Sequence, residues 1–123
     1  MLLVALGGAL GSVARFKLSG WVLQQTTTMR LPTGTLAVNL IGCLVAGLLA
    51  GIAAKQDIIS AQARVFLFTG LLGGFTTFSA FGLETLLLLK RGEAALAATN
   101  VVVSVVAGLF IAWLGYELAT RSP

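Results

Sequence analysis

Residues 65–89 read VFLFTGLLGGFTTFSAFGLETLLLL, a run apolar enough to cross a membrane but carrying a double glycine, a double threonine and one acid, Glu84. A membrane helix needs about 20 apolar residues, so the length is right. The interior is not. Gly73 and Gly74 followed by the β-branched Thr76 and Thr77 make a weak stretch of helix. The pattern predicts a third span broken near its middle. Backbone freed from helical pairing at membrane depth persists only where protein or a water-filled cavity satisfies it. Such breaks offer carbonyl oxygens to cations and helix N-termini to anions. The alternative is a continuous, kinked span whose hydroxyls bond back to the i−4 carbonyls.

Working outward, residues 34–54 (GTLAVNLIGCLVAGLLAGIAA) and residues 94–116 form two further apolar runs, both without a charge. Residues 2–23 are weaker, because they hold Arg15 and Lys17. A charge at the bilayer centre costs at least ~2.5–3.5 kcal/mol, which assigns Arg15 to a watery vestibule or to the membrane edge. No basic flank precedes the first run, so it reads as a retained span rather than a cleaved signal. The joints QQTTTMRLPT, KQDIISAQAR and KRGE are too short to hold a soluble domain. The expectation is an all-α membrane protein of four spans forming one domain over residues 1–123.

Composition agrees. The chain is 58% hydrophobic and 10% charged, against about 25% charged in soluble domains. A soluble chain this short could not bury so much apolar surface. The eight basic residues are scattered, so there is no nucleic-acid patch. With no histidine and Cys43 as the one cysteine, zinc sites, disulfides and His-based catalysis are excluded within one chain.

Four spans put both termini on one side. Lys55, Arg64 and Arg121 fall on that side, and Arg30, Lys90 and Arg91 on the other, joined by Lys17 if the first span ends there. So even a balance gives the positive-inside rule almost nothing to act on. It predicts insertion in both orientations and pairing as an antiparallel, dual-topology homodimer. Gly7, Gly8 and Gly11 in the first span and Gly47 and Gly51 in the second predict close helix packing.

Several side chains stand out as candidates. Phe78 and Phe81, at i, i+3, share one helix face; they either pack or turn electropositive ring edges toward a small anion. Asn39 either offers amide donors to an anion or makes an interhelical bond. Asn100, Ser104 and Gly108 recur at i, i+4, i+8 and read as a channel wall or as helix-helix glue. Glu84 reads as a proton-coupling acid, or structurally as a partner for Arg15 or a helix-end residue, the structural reading being favoured by its distance from the double glycine.

Three segments, GGALGSVARF (7–16), PTGTLAVNLIG (32–42) and GLLGGFTTFSAF (70–81), together resemble the CrcB/Fluc family of small bacterial fluoride channels. Their order and spacing cover nearly the whole chain. The resemblance implies passive, fluoride-selective export across the cytoplasmic (inner) membrane, without catalysis, by an antiparallel dimer with two pores. It implies pore-lining roles for Phe78, Phe81 and Asn39, a hydroxyl at Ser79 beside the path, a vestibule arginine at Arg15, and a polar track at Asn100 and Ser104. It further implies a structural Na+ at the dimer centre, held by the backbone carbonyls of Gly73 and Thr76. Ala80 and Gly108 depart from the pattern, since many relatives carry polar side chains there. The rival reading is a small proton-coupled multidrug exporter, but such a protein is expected to use an acid in its first span, and this first span has none.

Overall fold

The computed structural model describes residues 1–56 and 58–121, and its spans run Leu2–Gln25, Thr33–Lys55, Ala61–Lys90 and Ala94–Arg121. Each end has a local cause. Pro32 stands immediately before the second span, where its fixed φ and missing N–H do no harm. Ser60 caps the third, its Oγ accepting from the Ala63 N–H at 3.1 Å. After Lys90 the chain turns through Gly92 at φ +80°, a conformation open to glycine. There the Gly92 N–H donates to Leu89 O and the Glu93 N–H to Leu88 O, a Schellman closure that satisfies two orphan carbonyls.

The third span is interrupted, as its composition predicts, but two residues later than the glycines suggest. Val65–Leu72 is wound as a wider π-helix, Gly73–Phe75 as α-helix, and Thr76 and Thr77 are extended before the helix Phe78–Lys90 begins. Gly73 itself is helical, at φ −60° and ψ −38°. The glycines serve packing instead. A β-carbon on Gly74 would lie 2.6 Å from Gly8 O, and one on Gly7 2.7 Å from Phe66 O. The first span therefore lies directly on the backbone of residues 65–75. A second close pairing sets the second span on the fourth, where a β-carbon on Gly51 would meet Ala119 Cβ and Tyr116 O at 2.7 Å. The packing expected of Gly7, Gly11, Gly47 and Gly51 is thus present in both pairs.

The fourth span also contains a π-helical stretch, Val103–Ala107, between Ala94–Val102 and Gly108–Arg121. Nothing in the sequence pattern predicts either π stretch. Among the described residues only Val38, Leu72, Leu88 and Ala97 are buried apolar side chains, while large ones on every span face outward. In lipid that distribution carries no penalty. The chain exposes 7570 Å², against about 6,200 Å² for a compact soluble protein of this mass.

Candidate functional site

The break is held by one side chain. Thr76 (φ −84°, ψ 156°) and Thr77 (φ −149°, ψ 114°) are extended, so Thr77 leaves the helical ladder. From the second span, Asn39 takes up both of its backbone groups: the Thr77 N–H donates to Asn39 Oδ1 at 2.9 Å, and Asn39 Nδ2 donates to Thr77 O at 3.0 Å. An unpaired backbone group in hydrocarbon costs several kcal/mol, and this pairing removes two. One amide N–H of Asn39 is left over. Thr77 then starts the next helix, its Oγ1 accepting from the Ala80 N–H at 3.1 Å. Thr76 makes the back-bond of the kinked-span reading, Oγ1 to Leu72 O at 2.9 Å; the break and the back-bond coexist.

These bonds release carbonyls. In a continuous helix Gly73 O would receive the Thr77 N–H, and Thr76 O the Ala80 N–H. The first goes to Asn39 and the second to Thr77 Oγ1. Gly73 and Thr76 are therefore chemically suited to face a hard cation through backbone oxygen. Among the described residues no group of three His, Cys, Asp or Glu could hold a metal, so a cation here would depend on such carbonyls.

Beside the break, Phe78 is 83% exposed and Phe81 half-buried, their rings 5.6 Å apart and tilted by 48°. Asn39, Gly73, Thr76, Thr77 and Phe78 share a concavity of about 440 Å³, with Cys43 in its wall. A second concavity, of about 270 Å³, brings Arg15 and Ser19 of the first span to Thr35, Thr77 and Ala80. Thr77 walls both. The Ser79 hydroxyl lies 3.4 Å from Thr77 Oγ1. Asn39, Phe78, Phe81, Ser79 and Arg15 are thus gathered around Thr77, which the sequence reading took only as part of the weak helical stretch.

Glu84 lies in the middle of Phe78–Lys90, not at a helix end, and is not paired with Arg15. Thr35 Oγ1 donates to its Oε1 at 2.6 Å, while Oε2 is buried without a partner. The helix-end expectation fails because the break at Thr77 restarts the helix only seven residues earlier. The ion pair found among the described residues is Arg121 with Glu117, at 3.2 Å. Thr35 and Asn39 are one turn apart, so Thr35–Glu84 stacks beside Asn39–Thr77. That i, i+4 spacing from Asn39 was the available signal for Thr35.

The polar line of the fourth span divides. Asn100, 1% exposed, donates from Nδ2 to Thr85 Oγ1 at 2.9 Å, and Thr85 Oγ1 donates to Phe81 O at 2.8 Å. Gly108 instead faces Cys43 Sγ on the second span. Ser104, half-buried, sits in the π stretch between them. The extra residue per turn there moves the two ends of the line onto different neighbours. Asn100 is bonded in the interior, between the third and fourth spans, and Thr85 is a second residue the sequence reading missed.

A family model described as CrcB-like protein, Camphor Resistance (CrcB), matches residues 2–116, taking in the first three spans and most of the fourth. The chain belongs to the CrcB family. Among CrcB-family relatives, it is 60% identical over 118 residues to the fluoride-specific ion channel FluC of Methylobacillus flagellatus, covering 96% of this chain and 92% of that protein. It is 49% identical to the FluC of Opitutus terrae over 120 residues (96% and 90%), and 42% identical to that of Geotalea daltonii over 119 (97% and 95%). This CrcB chain is a multi-pass membrane protein, and its broken span lies well inside the matched region.

Proposed function

We propose that the chain is a fluoride-selective channel that lets the anion leave the cell passively, lowering cytoplasmic fluoride. Its relatives bear that name, and the observation that carries the reading is the pair Phe78 and Phe81 standing beside a broken backbone on an open face. Fluoride enters cells as neutral HF and dissociates inside; a channel returns the anion down its electrochemical gradient. Ring edges solvate a small anion without a fixed cation that would trap it, and conduction requires binding weak enough to release. The spare N–H of Asn39 and the Ser79 hydroxyl add donors along the same path.

The working unit in this reading is an antiparallel, dual-topology homodimer. Phe78 exposed at 83% beside the break leaves that face open to a partner, and the even split of basic residues supports inversion. A Na+ held by Gly73 and Thr76 carbonyls of two copies would supply fixed positive potential near the path. Two carbonyls from one chain leave most of a cation's coordination open, so the site needs the second copy. The multidrug-exporter alternative lacks an acid in the first span.

Efflux of fluoride and of chloride from proteoliposomes tests the reading. Fluoride is expected to leave and chloride to stay. Phe78→Ile and Phe81→Ile are each expected to slow fluoride by about tenfold or more, a factor that corresponds to a barrier raised by ~1.4 kcal/mol. Equal passage of both anions, or unchanged efflux in both variants, would remove the aromatic path.

A further inference from the structure

Past Glu84 the stack of polar pairs reaches the membrane edge. A cavity of about 150 Å³ opens there, walled by Arg30 from the connection after the first span and Arg91 from the turn after the third, over Glu84, Leu87 and Leu88. Both arginines are exposed, and neither is in an ion pair; among the described residues the pair formed is Glu117 with Arg121. A guanidinium stays protonated throughout the working pH range. The cavity therefore carries two uncommitted positive charges against the single carboxyl of Glu84. At about 30 Å³ per water, it has room for a small anion that is still hydrated.

We infer that this cavity is an anion-collecting mouth, in which Arg30 and Arg91 concentrate a small hydrated anion at the Thr35–Glu84 end of the path. The inference rests on the channel reading above. It adds to that reading two residues that neither the aromatic pair nor the break involves. A cleft lined by one sign of charge raises local counter-ion concentration and on-rate. Exposure keeps the arginines wet, and the Glu84 carboxyl opposes deep capture, so the anion is drawn in without being held. Arg30 and Arg91 act on delivery rather than on passage through the aromatic pair.

The test is fluoride efflux from proteoliposomes at low fluoride, measured at about 10 mM and about 1 M ionic strength, where the Debye length falls from ~30 Å to ~3 Å. The double variant Arg30→Gln/Arg91→Gln is expected to lose about tenfold at low salt, at the lower end of known steering effects, and to match wild type at high salt. Arg30→Lys/Arg91→Lys, which keeps the charge, is expected to behave as wild type at both. Arg64→Gln, which removes an exposed charge at the other end of the chain's own bundle and outside this cavity, is expected to change neither. A loss that persists at high salt, that lysine fails to rescue, or that Arg64→Gln reproduces would overturn the inference, marking a structural, topological or general surface-charge effect. Unchanged efflux of the glutamine variant at low salt would overturn it alone; a wild-type protein carrying no fluoride would overturn the channel reading with it.

Discussion

The two halves of the third span are held by opposite means. Residues 65–75 lie against the first span backbone to backbone, with Gly7, Gly11 and Gly74 leaving no room for a β-carbon. Residues 77–90 are held by side-chain bonds reaching in from neighbours: Asn39 on Thr77, Thr35 on Glu84, Asn100 on Thr85. The first half is fixed by shape, the second by polar pairing. Shape tolerates no insertion, whereas a polar pair can be edited one bond at a time. The candidate path runs from the break along the second half, past the spare N–H of Asn39 and the Phe78–Phe81 pair.

The strongest attack on that contrast is Gly11→Ala. Its β-carbon would run into the Leu71 carbonyl and the Phe75 backbone, and overpacking against backbone is expected to cost about 3 kcal/mol or more. Most of the folded protein should disappear from size-exclusion profiles. Gly8→Ala, whose β-carbon points into open space, should leave the profile unchanged; equal behaviour of the two would mean that close approach does not hold this half. Next in size is Asn39→Ala. Both backbone groups of Thr77 lose their partner, at about 1–3 kcal/mol each, so a fall in thermal stability with loss of efflux is expected. Asn39→Asp keeps the acceptor for the Thr77 N–H but sets an oxygen against Thr77 O, and should impair anion passage more than stability. Full conductance in that variant would reduce Asn39 to packing. The smallest effect belongs to the Asn100–Thr85 bond: a cycle of Asn100→Ala and Thr85→Val should give a coupling of about 0.6 kcal/mol, the usual value between membrane helices. A coupling near zero would leave the second half held by the other two pairs.

The four spans were legible because apolar length is a local property: residues 34–54 and 65–89 fall inside Thr33–Lys55 and Ala61–Lys90. The break was legible only approximately. Composition points at the double glycine, but the first span packs on it and keeps it helical, and that span lies some sixty residues away in sequence. The interruption therefore moves to Thr76 and Thr77. Asn39 was visible as an odd polar residue in a span, while its bond to Thr77, 38 residues distant, has no sequence signature. The spacing of Asn100, Ser104 and Gly108 left a channel wall and helix-helix glue both open; Asn100 bonds across to Thr85 of the third span, and the line divides because its regularity assumes an unbroken α-helix, which Val103–Ala107 is not.

The spans also differ in length. They contain 24, 23, 30 and 28 residues; at about 1.5 Å per residue the first two come to roughly 35 Å and the last two to roughly 45 and 42 Å. A hydrocarbon core is about 30 Å thick. The short pair fits upright, while the long pair must lean, protrude or bend, and each of the long spans contains its own departure from regular α-helix. Hydrophobic mismatch is thus distributed unevenly within one chain. A change of lipid tail length would press first on the third and fourth spans, so bilayer thickness acts on the segment that contains the break.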